Sequence, residues 1–94
     1  DEWWDSISVP EKISEELNIK INADVLIKGL REIDLKYREP LMLHYLENKG
    51  YKEVGEILRL PTATVSTRIK RGKVRLKEAL DAQMVGKVNI GETI

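Results

Sequence analysis

The chain has no cysteine and no phenylalanine, a single histidine, and three prolines in 94 residues. Without cysteine it can build neither a disulfide framework nor a thiolate metal site, and a reducing, cytoplasmic setting suits it. Aromatics make up only 5%. No apolar run approaches the roughly 18 residues of a membrane span, and no basic-then-apolar leader opens the chain. It opens on Asp1 rather than Met, so it is expected to be part of something longer. Catalytic groupings are missing too. His44 has no second histidine or cysteine to join it and reads as a surface residue. Glu15 and Glu16, adjacent in sequence, point apart on a helix, and Ser6, Ser8 and Ser14 lack a base. "VGKVNIGET" does not have phosphate-loop spacing. No enzyme activity, cofactor, metal or small-molecule substrate is expected.

What is abundant is charge. Charged residues make up 34%, and their long side chains, with Leu, Ile and Val, favour helices. Sixteen bases balance sixteen acids, but the balance is uneven along the chain. Residues 1–34 hold nine acids against four bases, and residues 62–94 hold seven bases against three acids. In "ATVSTRIKRGKVRLKEAL", from Ala63, six bases stand between Arg68 and Lys77 with no acid among them. A basic back and an acidic front predict contact with a polyanion, or of the front with the back.

Residues 1–22 read as an acidic linker with room for one short helix, Pro10 suiting its first position. Trp3 and Trp4 stand in that linker, available to dock on the domain or a partner. Residues 23–84 read as the domain and 85–94 as a tail. Apolar residues at Ala23, Leu26, Ile27, Leu30 and Ile33 mark a helix, with Asn22 as its N-cap. A second helix is expected from about Leu35 to Asn48, capped by Asp34 and turning Leu35, Leu41, Met42 and Tyr45 inward. Pro40 should disturb its early turns, and Gly50 should end it. "YKEVGEILRLP" predicts a short third helix burying Val54, Ile57 and Leu58. Pro61 forces a turn, and Thr62 can cap a fourth helix over residues 63–83. The fold class is all-α, a small bundle of about four helices.

A short helix, a tight turn and a basic helix make a helix-turn-helix pattern. Close crossing of the pair wants a small residue, and Gly55 supplies one at about 1 kcal/mol of helix propensity. A left-handed residue is common in the turn, where this chain has Arg59. On a helical wheel Val65, Ile69, Gly72, Leu76, Ala79 and Leu80 fall within about 100° as a core stripe. The opposite pole carries Ala63, Ser66, Thr67, Lys70, Arg71 and Val74. Arg68, Lys73, Arg75 and Lys77 lie on the flanks. The pole could meet base edges in a major groove, and the flanks could meet phosphates. The solvated face of an ordinary globular domain is the plainer alternative, though such faces usually mix signs for i,i+4 pairing.

Residues 30–80 resemble region 4 of the sigma-70 family of transcription initiation factors, most closely its extracytoplasmic-function group. The resemblance rests on Tyr37-Arg38, Tyr45, Tyr51, Glu53-Val54-Gly55, Leu58, Pro61, Thr64-Val65, Arg68, Arg71, Lys73 and Leu76, in that order and spacing. Asp34 stands where the family has Pro, Ala63 where it has Gly, Gly72 and Gly55 where it has Ala, His44 where it has Arg, and Thr67 where it has Ser. The resemblance implies reading of the promoter −35 element by the last helix. Ser66, Thr67, Lys70 and Arg71 would approach bases, Arg71 being best suited to a guanine. Arg68 and Lys73 would hold phosphates, with Thr62 and Thr64 near the backbone at the helix start. It also implies docking on the RNA polymerase β-subunit flap and masking by an anti-sigma factor. Two readings stay beside it: the output domain of another helix-turn-helix regulator, and a module that mainly binds an acidic protein.

Overall fold

In the computed structural model, which describes residues 8–92 and their side chains as far as Met84, every element is helical. Helix α1 spans Glu11–Leu17, α2 Ala23–Glu32, α3 Leu35–Leu41, α4 Tyr51–Leu58 and α5 Thr62–Glu92, and α3 continues as a π-helical turn over Met42–Leu46. Trp3 and Trp4 lie outside the described residues.

The caps expected for α2 and α3 are present. The Asn22 side chain accepts from the Val25 amide at 2.9 Å and opens α2, and Asp34 accepts from the Lys36 amide at 3.4 Å at the start of α3. Such side chains satisfy amides that have no partner inside the helix. The C-terminus of α2 is closed from a distance. Arg38 donates to the carbonyls of Leu30 at 2.7 Å, Arg31 at 3.2 Å and Ile33 at 3.0 Å. A cation belongs at the negative end of a helix dipole, and these bonds hold α2 against α3.

The short helix allowed for after Pro10 forms, starting at Glu11 with Pro10 one place earlier. Asn18 ends it in the left-handed region at φ 51°, a conformation asparagine tolerates. Ile13, Leu17 and Ile19 are buried in the common core, so this part of the acidic front packs as an element of the bundle. Pro40 acts later than expected. The α-helix passes through it and then widens at Met42, where the Glu47 amide bonds to the Met42 carbonyl at 3.2 Å. Tyr45 is buried and Met42 half-buried, but Leu35 is 54% exposed, because it lies opposite the Pro40–Leu41 face.

Helix α5 is the axis of the bundle. Val65, Ile69, Leu76 and Leu80 are at most 1% exposed and meet Leu26 and Leu30 of α2, Leu41 of α3 and Val54 of α4 in one core. Removing a leucine there to alanine would cost roughly 2–5 kcal/mol, a large share of a small domain's stability. The helix begins at Thr62 itself. The Pro61 carbonyl accepts from the Val65 amide at 3.1 Å, so Pro61 fills the place expected of Thr62. It also runs past Gln83 to Glu92, through the stretch expected as a tail. The glycines there cost propensity, but no proline breaks the ladder.

Candidate nucleic-acid interface

The turn between α4 and α5 sets the site. Arg59 closes α4 in the left-handed region at φ 58° and ψ 49°, so the turn has the usual shape despite a side chain where glycine is common. The Leu60 amide then bonds back to the Gly55 carbonyl at 2.9 Å. A Cβ on Gly55 would stand 2.7 Å from the Leu60 carbonyl oxygen, too close for either backbone to ignore. Glycine at 55 therefore lets the turn fold tightly over α4. The buried face of α4 centres between Val54 and Gly55, which leaves Ile57 turned away and 53% exposed instead of buried.

From that turn α5 emerges unbroken, with its apolar stripe inward. Opposite it, Ala63, Thr67, Lys70, Arg71 and Val74 are exposed and Ser66 is half-buried. The Thr67 hydroxyl donates to the Ala63 carbonyl at 3.1 Å, so it offers a methyl group and an acceptor oxygen outward. Thr62 is exposed and Thr64 half-buried at the start of the helix.

The packing shows which neighbours the six cations of α5 face. The arginines 68, 71 and 75 lie on the flank facing the start of α3, and the lysines 70, 73 and 77 on the flank facing α1. Lys73 is held by Glu16 of α1 at 2.8 Å, and the same carboxylate oxygen accepts from the Tyr45 hydroxyl at 2.6 Å. The Lys73 and Tyr45 bonds hold the Glu16 carboxyl below its ordinary pKa. Burial, then that hydrogen bond, pushes the Tyr45 hydroxyl well above its usual value. Arg75 pairs with Glu78 at 3.6 Å and Lys77 with Asp81 at 3.5 Å, both exposed pairs along the helix that water or another anion can displace. Arg68, Lys70 and Arg71 have no carboxylate partner among the described residues. The unneutralised charge thus sits in the first half of α5, beside the outward strip.

Two open clefts flank this strip. On the α1 side a cleft of about 400 Å³ is lined by Glu16, Leu17, Lys70, Lys73 and Val74. On the α3 side a cleft of about 360 Å³ is lined by Lys36, Tyr37, Thr64, Thr67, Arg68 and Arg71. Sequence reasoning did not place Lys36 at this site, and weighed Glu16 only as half of a carboxylate pair with Glu15. Each lies far from α5 in the chain, and only the packing of α1 and α3 brings it there. His44, expected at the surface, is half-buried. Its Nδ1 donates to the Lys49 carbonyl at 2.7 Å, and its ring packs edge-on against Tyr45 and Tyr51. No cluster of His, Cys, Asp or Glu among the described residues could hold a metal ion, and none of their helices is long and apolar enough to cross a membrane.

The arrangement suits binding: a strip of short side chains on a continuous helix, with Arg68, Lys70 and Arg71 beside it that have no carboxylate partner among the described residues. Residues 24–76 match the family described as Sigma-70, region 4. The chain is also 37% identical over 68 residues to the "ECF RNA polymerase sigma factor SigW" of Bacillus subtilis (strain 168). That match takes in 72% of this chain and 34% of the relative, so the chain spans about a third of that protein's length. With its helix pair, tight turn and basic second helix, this chain belongs to the sigma-70 family, as a region 4 domain of the extracytoplasmic-function type.

Proposed function

We propose that the chain reads the −35 element of promoters for an alternative sigma factor, with the first half of α5 laid in the major groove. One observation carries this reading: α5 is continuous and its outward strip is free of the core, with Arg68, Lys70 and Arg71 beside it lacking acidic partners among the described residues. Ser66, Thr67, Lys70 and Arg71 face the bases, and Arg71 can grip the O6 and N7 of a guanine with two donors. Arg68, Lys73, Arg75 and Lys77 meet phosphates on the flanks, and Thr62 and Thr64 meet the backbone at the helix start. Lys73 does so by leaving Glu16. The same domain docks on the flap of the RNA polymerase β subunit in the cytoplasm, and an anti-sigma factor covers it when transcription is not called for.

Selection of bound duplexes from a random pool, with and without core polymerase, tests the reading. A recovered motif whose guanine preference is blurred by Arg71→Ala, at a loss of roughly 1–3 kcal/mol, supports it. Lys73→Ala should instead weaken all sequences alike. Recovery of no motif in either arm would refute it. Pull-down of the isolated flap, and of the product of any neighbouring anti-sigma gene, tests the two protein contacts separately.

A further inference from the structure

We propose that the cleft between the start of α3 and the first half of α5 seats one DNA backbone phosphate, and that Lys36, outside the helix-turn-helix, is one of its ligands. The inference rests on the DNA-binding reading above. Three cations, Lys36, Arg68 and Arg71, converge on this cleft, and no carboxylate is among the described residues that line it. Like charges gathered around one opening repel each other until an anion joins them. Thr64 and Thr67 are the small polar residues beside them, and the open volume of about 360 Å³ leaves room for a phosphate with bridging water.

The position of Lys36 follows from packing. Its amide is capped by Asp34 at 3.4 Å, and its ammonium lies 5.2 Å from the centre of the Tyr37 ring. Tyr37 is drawn close to α5 because residue 72 has no side chain. A Cβ there would stand 3.2 Å from the Tyr37 Cβ and 3.1 Å from a Leu41 methyl carbon. The glycine at 72 therefore brings α3 in tightly enough for Lys36 to face Arg68 and Arg71 across the opening. Arg75 continues the same row, in a neighbouring cleft that also contains Lys36 and ends at Glu32 and Asp34. DNA backbone is accordingly drawn to the α3 side of α5, where Lys36, Arg68 and Arg71 have no carboxylate partner among the described residues and only Arg75 is paired, with Glu78. On the other flank Lys73 and Lys77 already have carboxylates within the chain.

The test is the salt dependence of duplex binding by fluorescence anisotropy, using the whole chain, the selected duplex and a scrambled one. Lys36→Ala should weaken both duplexes by the same factor and lower the slope of log K against log salt by about 0.9, as loss of one phosphate contact does. Lys36→Arg should restore both. Lys20→Ala removes the same charge beside Gln83 and Met84, away from the cleft, and should leave the slope unchanged. Helical melting curves confirm that the variants fold, as exposure of Lys36 leads one to expect. If Lys36→Ala behaves like Lys20→Ala while Arg71→Ala still weakens binding, the cleft proposal fails and the DNA reading stands. If it leaves DNA binding intact but abolishes binding of poly-glutamate, the cleft belongs to an acidic protein and the proposal is overturned. If the parent chain binds neither duplex, both readings fail together.

Discussion

Replacing Glu16 by alanine would break the only ion pair that ties α1 to α5 among the described residues, and would leave a buried tyrosine hydroxyl without its acceptor. Tyr45 is 5% exposed and donates to Glu16 at 2.6 Å, and a hydrogen bond to a charged group contributes about 1.5–3 kcal/mol. The Glu16–Lys73 pair has side chains 29% and 30% exposed, so it adds at most about 1 kcal/mol. Both bonds share one oxygen and are not additive, so Glu16→Ala should cost about 2–3 kcal/mol. With m near 1.5 kcal/mol/M the urea midpoint should fall by about 1.5–2 M. Glu16→Gln keeps an acceptor for Tyr45 and should cost about half as much. The pH dependence carries a definite sign. Glu16 has a lowered pKa in the folded chain, so near and below pH 4.5 the unfolded chain binds more protons, and stability rises with pH. The contribution of the charge is complete above the unfolded value and is lost as pH falls through the folded one. The gap between the parent chain and Glu16→Gln should therefore close in acid. Equal midpoints for the parent chain and Glu16→Ala, or a gap as wide at pH 3 as at pH 7, would refute the reasoning.

Other outcomes follow from the same contacts. Glu16→Gln should bind duplex DNA several-fold more tightly and with a steeper salt slope, because Lys73 is then free to meet a phosphate; anisotropy titrations at two salt levels check it. Arg38→Ala should lower stability by about 2–3 kcal/mol in urea unfolding, since three carbonyls around the end of α2 lose their donor. Arg59→Gly should raise the thermal midpoint, by about 0.5–1 kcal/mol of stability, because the turn places residue 59 at φ 58°, where glycine carries no Cβ penalty.

Local signals in the sequence were good guides to the elements. The caps at Asn22 and Asp34, the break at Pro61 and the stripe from Val65 to Leu80 each depend on neighbours in sequence, and each appears where spacing puts it. Ile57 and Leu35 misled because the buried face of a short helix is set by what it crosses. In α4 the buried face centres on Val54 and Gly55, and in α3 on Pro40 and Leu41. The reach of α5 to Glu92 was hidden by two glycines that weaken a helix without ending it. At the candidate interface, the outward strip was legible from the wheel alone. What was not legible is which cations are already engaged. The Glu16–Lys73 contact joins residues 57 apart in sequence, and the placing of Lys36 opposite Arg68 and Arg71 depends on how closely Gly72 lets α3 approach. Charge counted along the chain shows how much is present, and only packing shows how much is free.

If the chain binds DNA as proposed, the free surface of the first half of α5 is what meets it. Amide chemical-shift mapping of the isotope-labelled chain during titration with duplex DNA addresses it directly. The largest changes should fall on residues 62–74 and at Lys36, shrink with added salt, and spare the outward face of α2. Changes centred on α2, or spread evenly with no preference for α5, would contradict it.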